Sequence, residues 1–114
     1  MLIGKGEKIH VVYRRIYEGA ATRHFIGEVL EAEGPVVRAE GHVYVLDSFE
    51  NRYKRKPEKR TTLLNLAESG YVVNLIPADV DLSKLVYRPN DQKYMVVTDG
   101  AGFSLDINEF GARR

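Results

Sequence analysis

The sequence predicts a mainly β fold: a small bent antiparallel β-barrel with one short helix and a C-terminal β-hairpin extension. Three observations lead there. Apolar and polar residues alternate with period two along most of the chain, turn residues interrupt the alternation at short intervals, and only one brief segment carries helical punctuation.

The first strand is expected at Ile9–Tyr17, which is rich in β-branched and aromatic residues. Glu18, Gly19 and Ala20 close it, and a second strand follows in which Phe25, Gly27 and Val29 alternate with Ile26, Glu28 and Leu30. Glu33, Gly34 and Pro35 form the next turn. The clearest alternation runs from Val37 to Val45. Val37, Ala39, Gly41, Val43 and Val45 fall on one face, while Arg38, Glu40, His42 and Tyr44 fall on the other. The small residues Ala39 and Gly41 predict a bend or a close backbone approach in mid-strand.

After Asp47 the chain turns polar and then basic as far as Arg60, a stretch expected to form an exposed hairpin. Thr61–Leu66 and Tyr71–Ile76 read as two more strands joined at Gly70. Pro77 ends that pattern, and Pro77–Leu85 can hold one or two helical turns with Val80, Leu82 and Leu85 inward. Two hairpins follow: Leu85–Arg88 and Lys93–Thr98 around Pro89, Asn90 and Asp91, then Phe103–Ile107 after a turn at Asp99–Gly102. At 114 residues this is one domain, 1–114, with the barrel at about 6–77 and the helix and hairpins at about 78–114.

Composition narrows the function classes. An apolar fraction of 44% supports a packed core, and a net charge of +1 leaves only local charge to attract a polyanion. With no cysteine, disulfides, thiolate metal sites and a cysteine nucleophile are excluded, and a cytoplasmic setting is expected. Only Leu2 and Ile3 precede the charge at Lys5, so no secretory signal is expected. No run of about 18 apolar residues offers a membrane span.

Catalytic signatures are missing. His10, His24 and His42 have no neighbour at metal-ligand spacing and read as surface or half-buried structural residues, so no metal and no cofactor are expected. Asp99-Gly100-Ala101-Gly102 lacks the Lys-Ser/Thr and the helix of a phosphate loop and reads as a hairpin turn. The acid pairs Asp79/Asp81 and Asp106/Glu109 have no flanking histidine or nucleophile, and helix N-terminal charge accounts for the first. Ser48, Ser69, Ser83 and Ser104 occupy no nucleophile elbow. The chain is read as non-catalytic, with no small-molecule ligand inferred.

One feature carries binding chemistry. Between Asn51 and Arg60, Arg52, Lys54, Arg55, Lys56, Lys59 and Arg60 stand against the single acid Glu58, with Tyr53 among them. Cations can track a phosphate backbone while a ring stacks on a base. The competing reading is a solvated hairpin whose charge and Pro57 guard a sheet edge. Tyr13, Arg14, Arg15, Ile16 and Tyr17, with Arg23, His24 and Phe25 across the turn, form a second cluster that suits nucleic acid or a subunit interface equally.

The glycines and apolar positions Gly6, Ile9, Val11, Gly19, Gly27 and Val29, the Val36–Leu46 strand and the closing Tyr71–Pro77 run resemble an Sm-like (LSm) protein over about residues 6–77. The resemblance implies a bent five-stranded barrel and subunits that meet by edge-strand pairing in a ring. Glu31-Ala32-Glu33-Gly34-Pro35 stands where that family has its Asp-x-x-x-Asn loop, and Ser69-Gly70 replaces its Arg-Gly pair, so none of its RNA-site residues carries over. A five-stranded oligonucleotide-binding barrel is the alternative fold.

The expected function is a binding module for RNA or single-stranded nucleic acid using Arg14, Arg15, Arg23, Arg52, Tyr53, Lys54, Arg55, Lys56, Lys59 and Arg60. The alternative is a homo-oligomeric assembly or adaptor protein with Tyr13 or Phe25 in the subunit contact. Self-association is expected in either case, because a small open barrel has edges to cover.

Overall fold

The first three strands of the computed structural model, β1 (Lys8–Tyr13), β2 (Arg23–Glu33) and β3 (Val36–Asp47), form an antiparallel meander. The structure describes residues 3–13, 21–68 and 70–107. The far end of the expected first strand and its turn, 14–20, lie outside these. Gly34 makes the β2–β3 turn at φ 59°, a left-handed conformation that glycine adopts without a Cβ clash. A bulge between Val29 and Glu31 shifts the register and adds twist to the hairpin.

Further along, Gly27 and Gly41 sit opposite each other. A Cβ on Gly41 would lie 2.6 Å from the Gly27 Cα and would collide with the Ile26 carbonyl. The close backbone approach read from Ala39 and Gly41 is therefore present, and it depends on two facing glycines.

β4 (Arg52–Arg55) and β5 (Arg60–Asn65) both pair with β3, end to end along its outer edge. Here the structure corrects the sequence reading: Arg52–Arg60 does not fold on itself as a hairpin. It opens with a strand and passes through a four-residue interruption, in which the Lys56 amide donates to the Val43 carbonyl at 2.8 Å. The backbone along the β3 edge needs partners regardless of side-chain polarity, and long charged side chains suit an outer strand. Asp47 shapes the connection, its Oδ1 accepting from the Phe49 and Glu50 amides at 2.9 and 3.3 Å, and Asn51 completes it at φ 54°.

β6 (Tyr71–Ile76) pairs with β1, giving the order β4-β3-β2-β1-β6, with β5 also on β3. All pairs are antiparallel. Among the described residues no pairing joins β6 to β4 or β5, so a closed barrel is not found. Ile9, Val11, Phe25, Val29, Val37, Ala39, Val43 and Leu64 build the core on one face, as the alternation predicts.

The chain divides into two compact units, Met1–Ala78 and Asp79–Arg114. In the second, the helical segment contracts to a 3₁₀ turn, Leu82–Lys84, capped by Asp81, whose carboxylate accepts from the Ser83 amide at 3.0 Å. Val80 and Leu85 are buried beside it and Leu82 is half-buried. β7 (Val86–Pro89), β8 (Met95–Thr98) and β9 (Ser104–Asp106) form an antiparallel meander. Asn90 Oδ1 holds one turn by accepting from Gln92 and Tyr94. Asp99 Oδ1 holds the other through Ala101 and Phe103, and these backbone bonds lower its pKa. Asp99–Gly102 is thus a hairpin turn, with Gly100 at φ 78°.

Candidate nucleic-acid interface

The basic stretch is largely compensated by acids of its own neighbourhood. Lys54 Nζ lies 3.0 Å from Asp47 and 3.1 Å from Glu50, Arg52 lies 3.9 Å from Glu50, Lys59 lies 3.8 Å from Glu40, and Arg60 lies 3.0 Å from Glu58. The hydrogen bond from Lys54 is the main cause of a lowered Asp47 pKa, and the Asp47 carboxylate in turn raises that of Lys54. Glu58 is held low first by a backbone hydrogen bond and then by Arg60. Arg55 bonds the Tyr44 side chain, which opposes the rise that burial imposes on the Tyr44 pKa. Exposed pairs of this kind are screened by water and contribute little, so an incoming phosphate can displace them at small cost.

Tyr53 is half-buried, its ring centroid 5.0 Å from that of His24, so one side of the expected stacking ring is already engaged. Arg14 and Arg15 lie outside the described residues. Phe25 is fully buried in the core, which removes it from any subunit contact.

A different group gathers at one end of the sheet. β1 and β6 place Tyr13 opposite Tyr71, with ring centroids 5.3 Å apart and planes tilted by 52°. Burial raises the Tyr13 pKa and Tyr71 adds to the rise, while Arg60 and Arg23 pull against it, which places both guanidinium groups within electrostatic reach of the phenol. Arg23 heads β2, next to the His24 that pairs with Val12, and Arg60 heads β5 opposite the side-chain-free Gly41. Two half-buried rings and two exposed arginines from four strands thus interact, the arginines acting on the Tyr13 phenol electrostatically. Sequence reading named Arg23 and Arg60 as binding residues and missed Tyr71. Nothing local marks Tyr71, because its partner lies 58 positions earlier and only strand pairing joins them.

On the other face, antiparallel pairing of β1 and β2 joins two histidines that sequence reading left apart. His10 is 0% exposed and His24 3%, so both are buried residues and not surface or half-buried ones. His10 Nε2 and His24 Nδ1 are 3.0 Å apart, and Asn74 Nδ2 is 3.2 Å from His10 Nδ1. One imidazole must donate and the other accept, which requires that one of the two facing nitrogens carry no proton. Burial pushes His10 down to about 4, and burial together with His10 pushes His24 down to about 3. His42 is only half-buried, its pKa lowered first by burial and then by Arg55 and Lys59.

Among the described residues, no three histidine or carboxylate side chains are grouped to hold a metal, and no helix is long and apolar enough to cross a membrane. No family model, curated protein or solved structure matches the chain.

Proposed function

We propose that this chain is a non-catalytic module that binds single-stranded nucleic acid through Tyr13, Tyr71, Arg23 and Arg60, on a small Sm-like barrel. The tyrosine pair, with Arg23 and Arg60 within electrostatic reach of Tyr13, carries the reading. Every base has a π-face for a tyrosine, and a guanidinium can pair with the adjoining phosphate. Lys56 and Arg55, beside the interruption between β4 and β5, extend the path for a strand. The close approach at Gly27 and Gly41 and the β1–β6 pairing support the barrel.

The test is fluorescence anisotropy with labelled oligothymidylate and oligouridylate at low and physiological salt. Binding that weakens with salt is expected, and Arg23→Glu with Arg60→Glu should reduce affinity at least about tenfold and flatten the salt slope by about two. Absence of binding at low salt, or unchanged affinity in the double variant, overturns the reading.

Exposed apolar residues favour a second reading, homo-oligomeric assembly without nucleic acid. Leu63 on β5 is 65% exposed, while Val72 and Leu75 on β6 are 60% and 55% exposed. These strands form the two margins of the open sheet, where unpaired edges invite another copy.

A further inference from the structure

We propose, resting on the nucleic-acid reading, that the buried His10–His24 pair is a proton-sensitive latch on the β1–β2 pairing and releases the bound strand on acidification. Both strands that hold the pair also supply the interface. β1 carries His10 and, three residues on, Tyr13, while β2 carries Arg23 immediately before His24. β6 joins the same unit through Asn74 at His10 and Tyr71 at Tyr13.

The latch works through the shared hydrogen bond. In the neutral pair one ring N–H points at the lone pair of the other across 3.0 Å. A first added proton goes to an outer ring nitrogen such as His10 Nδ1, where the Asn74 amide turns its oxygen to accept it, and the single N–H between the rings remains. A second sets two N–H groups against each other in a buried site, so the strands must part to hydrate them.

Among the described residues, no carboxylate forms an ion pair with either imidazole. Tyr53 of β4 packs on His24, and Tyr44 of β3 stands across from it, bonded to Arg55. Along the same face, Lys8 of β1 is opposite Glu28 of β2, and His42 of β3 is opposite Ile26. Glu28 of β2 and Glu40 of β3 face each other further along, beyond Ile26 and His42, with Lys8 opposite Glu28 and Lys59 3.8 Å from Glu40.

The test is amide hydrogen exchange of β1 and β2 in the intact chain, read by NMR between pH 7.5 and pH 5 and corrected for intrinsic exchange. Opening that frees one histidine to its ordinary pKa of 6.5 should become about thirtyfold more populated at pH 5, and more again if both are freed. ¹⁵N shifts of the imidazoles should show both neutral at pH 5. In His10→Gln/His24→Gln the exchange should lose this acid dependence; if that variant does not fold, the wild-type exchange and imidazole shifts decide alone. Imidazoles that titrate near 6.5, or β1–β2 exchange with no acid dependence, overturn the latch.

Oligothymidylate affinity should fall between pH 5 and pH 4, opposite in sign to the tightening that added positive charge would bring. Affinity that rises while exchange accelerates overturns the release. Absence of oligothymidylate binding at every pH removes the nucleic-acid reading and the release with it, and the exchange result still decides the latch.

Discussion

Replacing Gly41 by alanine adds one methyl group where β2 and β3 are in backbone contact. The new Cβ would meet the Gly27 Cα at 2.6 Å and the Ile26 carbonyl carbon at 2.8 Å, well inside ordinary van der Waals separation. Neither obstacle is the tip of a flexible side chain, so relief requires the strands to separate. Overpacking in a core costs about 1–3 kcal/mol, and the loss of two ladder hydrogen bonds adds about 1 kcal/mol each, so Gly41→Ala should destabilise the first unit by about 3–5 kcal/mol. Gly27→Ala should behave similarly, since its Cβ would lie 2.8 Å from Phe25 Cε2 and 2.9 Å from the Glu40 carbonyl carbon. Gly102→Ala is the control, with nothing within 4 Å of its Cβ. Urea unfolding followed by circular dichroism measures all three. A Gly41→Ala midpoint within error of the Gly102→Ala midpoint would refute the close approach as a requirement of the fold.

The histidine pair predicts acid sensitivity of global stability. Both folded pKa values lie below the unfolded 6.5, so the unfolded state takes up protons first and stability falls as pH falls from about 7 towards about 4. At pH 5 the loss is about 2 kcal/mol for each histidine and about 4 kcal/mol for the pair, whatever the folded values below 5. Urea midpoints at pH 7.5 and pH 5 measure it, and equal midpoints would contradict the burial. Asp47, Glu58 and Asp99, whose pKa values are lowered, lose their contribution only below the ordinary carboxylate range and leave pH 5 clear. On the assembly reading, Leu63→Lys or Val72→Lys should reduce the mass seen by light scattering while the protein stays folded. A wild type that is already monomeric would remove that reading.

Much of the fold is legible in the sequence because strand alternation is a local signal. The Val37–Val45 face, the β6 run and the turns at Gly34 and Asp99 follow from residues within a few positions of one another. β4 was hidden because its basic sequence reads as part of an exposed hairpin, and only the edge of β3 makes it a strand of the main sheet. The basic stretch was legible as charge, but its pairing with Asp47, Glu50 and Glu40 depends on the β3 hairpin.

By itself, then, the sequence determined the β class, the core face and the absence of cysteine chemistry, since composition and period-two patterning need no long-range information. Tertiary structure alone decided which side chains meet. Strand pairing brings Tyr13 to Tyr71 and His10 to His24 and Asn74, and it lets Gly27 and Gly41 face each other. Register sets those contacts, and register is a property of two strands together: a slip of one residue would turn every one of these side chains to the other face.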